Sequence, residues 1–142
     1  MNYTLYDPST GKIIATTFSS DRETPPPDSP YIVGAYSGKE YYIDNGQAVA
    51  IPPNPSTLLI DYTFDWNTKT WAINIDSTAA AMRSFRNNLL AQSVDKINPV
   101  WYNSLTDEQK IELENYRIAL LNVPQQTTWP NNVTWPTKPS WI

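Results

Sequence analysis

Trp129, Trp135 and Trp141 stand six residues apart in a segment that also holds Pro124, Pro130, Pro136 and Pro139. The prolines exclude an α-helix, because each removes a backbone donor and fixes φ. A polyproline II helix repeats every three residues and a β-strand alternates faces every two. Six is a whole number of periods in both, so an extended chain points all three indoles the same way. Indoles aligned on a segment that cannot fold alone need an apolar surface. Two readings stay open. The segment folds back over helices of its own chain, or it lies on another protein as an aromatic-anchored strap.

Composition sharpens that need. Leu, Ile, Val and Phe make up 30 of 142 residues, a share close to the roughly 20% below which disorder becomes the better expectation. Six Trp and nine Tyr offset the deficit, since an aromatic side chain buries about 150–250 Å². Thin, aromatic-rich cores follow. Cysteine and histidine are absent, which removes disulfides, thiol nucleophiles, Cys/His zinc sites and any Ser–His or Cys–His pair. No GxSxG, P-loop, GxGxxG or HExxH motif occurs. Asp61, Asp65 and Asp44 could be nominated as a glycosidase pair, but all three read as turn or hairpin residues. The sequence therefore predicts no catalytic residue, no metal site, no cofactor and no enzyme. The net charge of −4 argues against a nucleic-acid partner. No apolar run approaches the roughly 20 residues that span a bilayer, and the start, Met1 to Pro8, lacks the basic and apolar regions of a signal peptide. The expected location is the cell interior.

The fold class is α+β. Residues 1–51 read as a small antiparallel β domain. Asn2–Tyr6 and Lys12–Phe18 flank a Pro/Gly turn, and Asp21–Pro30, with four prolines, reads as an extended loop. Tyr31–Ala35 and Glu40–Ile43 surround Ser37-Gly38-Lys39. Asp44-Asn45-Gly46 signals a type I′ hairpin. Residues 52–76 read as a linker followed by a second hairpin around Trp66–Lys69, with Trp66 and Trp71 as core. Residues 77–142 read as an α-hairpin with an extended Trp/Pro-rich tail. Asp76 or Ser77 is the expected N-cap of the first helix, whose stripe is Met82, Phe85 and Leu89, and Asn98-Pro99 ends or interrupts it. Thr106 and Gln109 form a capping box for the second helix, whose buried stripe is Leu113, Tyr116 and Leu120. Asn122 is the expected left-handed cap, with Pro124 forbidding continuation. Arg83, Arg86 and Arg117 are either solvated charges or forked clamps on carboxylates and tail carbonyls.

Three segments in this order carry a resemblance: Arg83-Ser84-Phe85-Arg86-Asn87-Asn88-Leu89-Leu90, Tyr116 to Gln125, and Trp129-Pro130-Asn131-Asn132-Val133-Thr134-Trp135-Pro136-Thr137-Lys138-Pro139. Together they resemble the C-terminal module of bacteriophage tail fibre assembly proteins, the phage tail assembly chaperones, over about residues 80–140. The stretch Ser93–Trp101 is longer than in that family, and Leu121 stands near the place of a second arginine. The resemblance implies a non-enzymatic helper that binds a trimeric phage tail fibre protein in the host cytoplasm during assembly. It implies partner-binding roles for Arg83, Arg86, Tyr116, Arg117, Trp129, Pro130, Trp135, Pro136 and Trp141. Two further readings accompany it. One is a structural virion component retained at the tail fibre or baseplate, in contact with baseplate proteins. The other is a carbohydrate-binding module in residues 1–76.

Overall fold

The computed structural model describes residues 1–20 and 29–142. The expected loop Asp21–Pro30 lies almost wholly outside the described residues. The architecture is α+β, antiparallel strands first and helices after. The chain divides into two compact units: Met1–Asn54 with Phe64–Ala72, and Pro55–Thr63 with Ile73–Ile142.

The first unit is built on a three-stranded antiparallel sheet in the order β2-β1-β3, with β1 Asn2–Tyr6, β2 Ile13–Phe18 and β3 Tyr31–Val33. Tyr3 pairs with Thr17 on one side and Val33 on the other, and the register with β2 shifts between Leu5 and Tyr6. The polar–apolar alternation of β1 does not sort into a wet and a dry face, because Tyr3 and Thr4 are both buried. Thr4 is satisfied there. Its hydroxyl donates to the Gly34 carbonyl at 2.8 Å and accepts the Tyr36 N–H at 3.1 Å. These bonds lead the chain across the sheet after β3. Ser37-Gly38-Lys39 is accordingly no hairpin between neighbouring strands. β3 pairs with β1, while β4 (Tyr41–Asp44) pairs with β5 (Gln47–Ala50). Asn45 and Gly46 take φ of 49° and 74°, the two positive angles a type I′ turn requires. Gly11 is needed for a different reason. Its φ is +72°, and a Cβ there would lie 2.1 Å from the Ile43 carbonyl oxygen.

The second hairpin joins β6 (Tyr62–Asp65) to β7 (Thr70–Ile73). The Asp65 carboxylate accepts the N–H groups of Asn67 at 2.8 Å and Thr68 at 3.3 Å, which hold its pKa below the usual carboxylate value. Asp7 is lowered in the same way by the hydroxyl and N–H of Ser9. Phe64 is buried, with Trp66 and Trp71 edge-on to it at 4.9 and 5.2 Å. The two indoles pack around Phe64.

In the second unit, α1 spans Ile75–Gln92. Its cap is Asn74, two residues before Asp76 and three before Ser77, with Oδ1 accepting the Ser77 N–H at 3.2 Å. Ser77 donates its hydroxyl to Asp61 at 2.6 Å, and the Asp61 N–H donates to Thr78 Oγ1 at 3.0 Å. Asp61 therefore fastens the incoming chain to the start of α1. The helix ends at Ser93, before Asn98-Pro99, and a 3-10 turn at Val94–Lys96 follows. Asn98-Pro99 then starts a helix instead of ending one. Asn98 caps α2 (Pro99–Ser104) by accepting the Trp101 N–H at 2.8 Å, and proline suits a first helical turn, where its missing N–H would be unpaired anyway. The α-hairpin thus carries a short helix in its connection. Its second arm, α3, spans Asp107–Leu121 and has the expected capping box: Gln109 N–H to Thr106 Oγ1 at 3.2 Å, Thr106 N–H to Gln109 Oε1 at 3.0 Å. Thr106→Ala is expected to destabilise this unit by about 1 kcal/mol, and Thr106→Ser by much less, as read from urea unfolding. Asn122 has φ of −89° and is not left-handed. The chain instead tightens into a 3-10 turn, Val123–Gln125, with Pro124 in its first turn.

Leu90, Tyr116 and Leu120 form the buried cluster between α1 and α3, flanked by Leu89 and Val94. Leu113, Tyr116 and Leu120 are all buried, as the helical period of α3 predicts.

Candidate functional site

The tail is fixed by one glutamine before any tryptophan contributes. The Gln126 side chain donates from Nε2 to the Thr134 carbonyl at 2.8 Å and accepts the Thr134 N–H at Oε1, 2.9 Å. A carboxamide has one donor face and one acceptor oxygen, so it pairs with a residue's backbone much as a neighbouring strand would. Between these two residues the chain is compact, not extended. The Asn132 N–H donates to the Thr128 carbonyl at 3.0 Å, Thr128 Oγ1 donates to the Asn132 carbonyl, and the Trp129–Pro130 peptide is cis. From Val133 to Pro139 the tail runs without turns, and it turns again at Ser140–Trp141, where the Ile142 N–H donates to the Pro139 carbonyl at 3.3 Å. The expectation of three indoles on one extended face therefore fails at Trp129 and at Trp141, both of which sit in turns.

All three indoles nevertheless rest on the helices. Trp135 meets Phe85 of α1 edge-on at 4.7 Å. The Arg83 guanidinium lies over the face of Trp129 at 5.4 Å, a contact worth about 0.5–1 kcal/mol at an exposed site. Trp141 reaches α3, donating Nε1–H to Glu112 at 2.9 Å. The fold-back reading of the tail describes the isolated chain. Each indole is half-buried and keeps an accessible edge.

The nine candidate residues fall into separate groups. Arg83 and Trp129 are in direct contact. Trp135, Pro136 and Tyr116 line a common cavity of about 390 Å³ with Phe85 and Leu89. Tyr116 and Pro130 are buried. Arg86, half-buried, donates from Nε and Nη2 to Asn87 Oδ1 at 3.1 and 2.9 Å. Among the described residues, Arg83 rests on an indole face and Arg86 on a side-chain amide, and neither contacts a carboxylate or a tail carbonyl. Arg117 is exposed and stands apart from the tail contacts, at the rim of a cavity of about 510 Å³ lined by Val94, Ile97, Pro99, Tyr102, Lys110, Leu113 and Glu114.

Sequence reasoning missed Gln126 and Glu112 as anchors of the tail. The only signal for Gln126 was its place between a helix-ending proline and the tryptophans. Glu112 had none, because its partner is 29 residues away. Among the described residues no helix is long and apolar enough to cross a membrane, and no group of three or more acidic side chains could hold a metal ion.

No curated protein and no solved structure matches the chain. A family model does match, across α1, the connection, α3 and the tail, on just under half of the chain. From Ala79 to Ser140 the sequence matches the family described as phage tail assembly chaperone protein, the same C-terminal module that its arginine helix and Trp-Pro tail resemble.

Proposed function

We propose that this protein is a non-enzymatic assembly chaperone that binds phage tail fibre chains in the host cell and aids their folding or attachment. The observation that carries the reading is the coincidence of two limits. The family match covers residues 79–140, and the helices with the tail clasped onto them span nearly the same stretch, from Ile75 to Trp141. Tail fibres are β-rich trimers with many long-range pairings. Such chains fold slowly and expose strand edges on the way. A small binder that covers those edges lowers the aggregating population by mass action.

The partner-binding surface in this reading consists of Arg83, Arg86 and Arg117 with the accessible edges of Trp129, Trp135, Pro136 and Trp141. Tyr116 and Pro130, both buried, hold the exposed members in place. Trp and Arg are the residue types that most often dominate binding energy at interfaces. The test is co-expression with the cognate tail fibre chain. Soluble, trimeric fibre is expected to rise several-fold when this protein is present. Equal yields with and without it, and no complex on size exclusion, would overturn the reading.

A further inference from the structure

The helical unit also carries an open, largely apolar cavity apart from the tail indoles. It lies where the 3-10 turn, α2 and α3 meet. Val94, Ile97, Pro99 and Leu113 supply its apolar lining, and its volume of about 510 Å³ falls in the range of roughly 300–1,000 Å³ typical of ligand sites. One stripe of α3 borders it: Lys110, Leu113, Glu114 and Arg117, spaced i, i+3, i+4 and i+7. Tyr102, part of the lining, is 43% exposed, and Val100 on the same helix is 81% exposed, which leaves apolar surface uncovered beyond the cavity itself.

Charge says what would enter. The mouth holds two cations and one acid in a chain whose net charge is −4. Lys110 is held over the Tyr102 ring at 5.2 Å. The Arg117 guanidinium is exposed and has no hydrogen-bond or ion-pair partner among the described residues. A planar fork of donors that the protein leaves unused suits a carboxylate.

We propose that this cavity anchors the partner polypeptide by taking an apolar side chain of the tail fibre chain, while Arg117, with Lys110 beside it, pairs with a carboxylate on an adjacent residue of that chain. The inference rests on the reading that this protein binds a fibre chain, and it adds the location and the chemistry of the contact.

The experiment measures binding of the full-length protein to purified cognate fibre chain at low and moderate salt. Variants are Arg117→Glu, Arg117→Gln and Tyr102→Ala, each checked for native circular dichroism. Both positions are exposed, so the fold is expected to survive. Arg117→Glu is expected to weaken binding about tenfold or more, with Arg117→Gln intermediate, and the salt dependence of the wild type is expected to flatten in both. Tyr102→Ala is expected to weaken binding by a few-fold without changing the salt slope. If the wild type binds the fibre and the Arg117 variants bind as tightly with the same salt slope, the cavity is not the anchor, although the chaperone reading stands. If the wild type does not bind the fibre at all, both fall.

Discussion

Leu120→Ala is expected to lower the stability of the helical unit by about 2–5 kcal/mol. The side chain is fully buried and packs with Leu90 and Tyr116 between α1 and α3. Truncation removes its transfer energy and leaves a cavity, and the cluster is too small to close over the gap by rearrangement. A domain's total stability is about 5–15 kcal/mol, so one methyl-for-isobutyl change takes a large share of it. Urea unfolding monitored by tryptophan emission reads the effect directly, because Trp129, Trp135 and Trp141 all lie on these helices. A loss below 1 kcal/mol would show that α1 and α3 are held mainly by contacts outside this cluster. Ile111→Ala is the matching control. Ile111 is 59% exposed on the same helix and is expected to change stability by no more than about 0.5 kcal/mol.

The double change Trp129→Ala with Trp135→Ala acts on the clasp. It removes the Arg83–Trp129 contact, the Phe85–Trp135 pair and the burial of two indoles. The aromatic pair alone is worth about 0.5–1.5 kcal/mol beyond its area. Together the losses are on the order of 2–4 kcal/mol. The tail amides from Thr134 onward are expected to exchange faster with solvent, and co-expressed soluble fibre to fall several-fold. The two readouts separate two roles. Faster exchange with an unchanged fibre yield would mean that the indoles hold the module together and do not touch the partner.

Local chemistry was readable wherever it depended on neighbours in the chain. The Thr106/Gln109 capping box, the Asn45-Gly46 turn and the buried stripe of α3 all follow from residues within one turn of each other. What escaped needed distant partners. Asn74 displaced Asp76 and Ser77 as the cap because Ser77 is engaged by Asp61, 16 residues earlier. β3 joined β1 and not β4 because the Thr4 hydroxyl holds residues 34 and 36. Asn98-Pro99 carries a signal that is ambiguous in principle, since the same dipeptide can stop one helix or open the next.

The candidate site divides along the same line. The even spacing of the tryptophans pointed to an apolar resting place, and the helices provide it for all three. The spacing could not foresee the turn at Trp129, because that turn is closed by hydrogen bonds of Thr128 and Asn132. The cavity beside Arg117 was invisible in the sequence. Its walls come from three elements, one of which, α2, lies in the connection between the two arms of the α-hairpin.

The two hydrogen bonds from Gln126 to Thr134 make one side chain into a ruler. They fix how many residues separate the end of the helices from Trp135, which must arrive opposite Phe85. One residue added or deleted inside that span would either break the Thr128–Asn132 turn or carry Trp135 away from Phe85. Length between Gln126 and Thr134 is thereby constrained more tightly than composition, and the exposed Asn131 and Asn132 can vary in kind far more readily than in number.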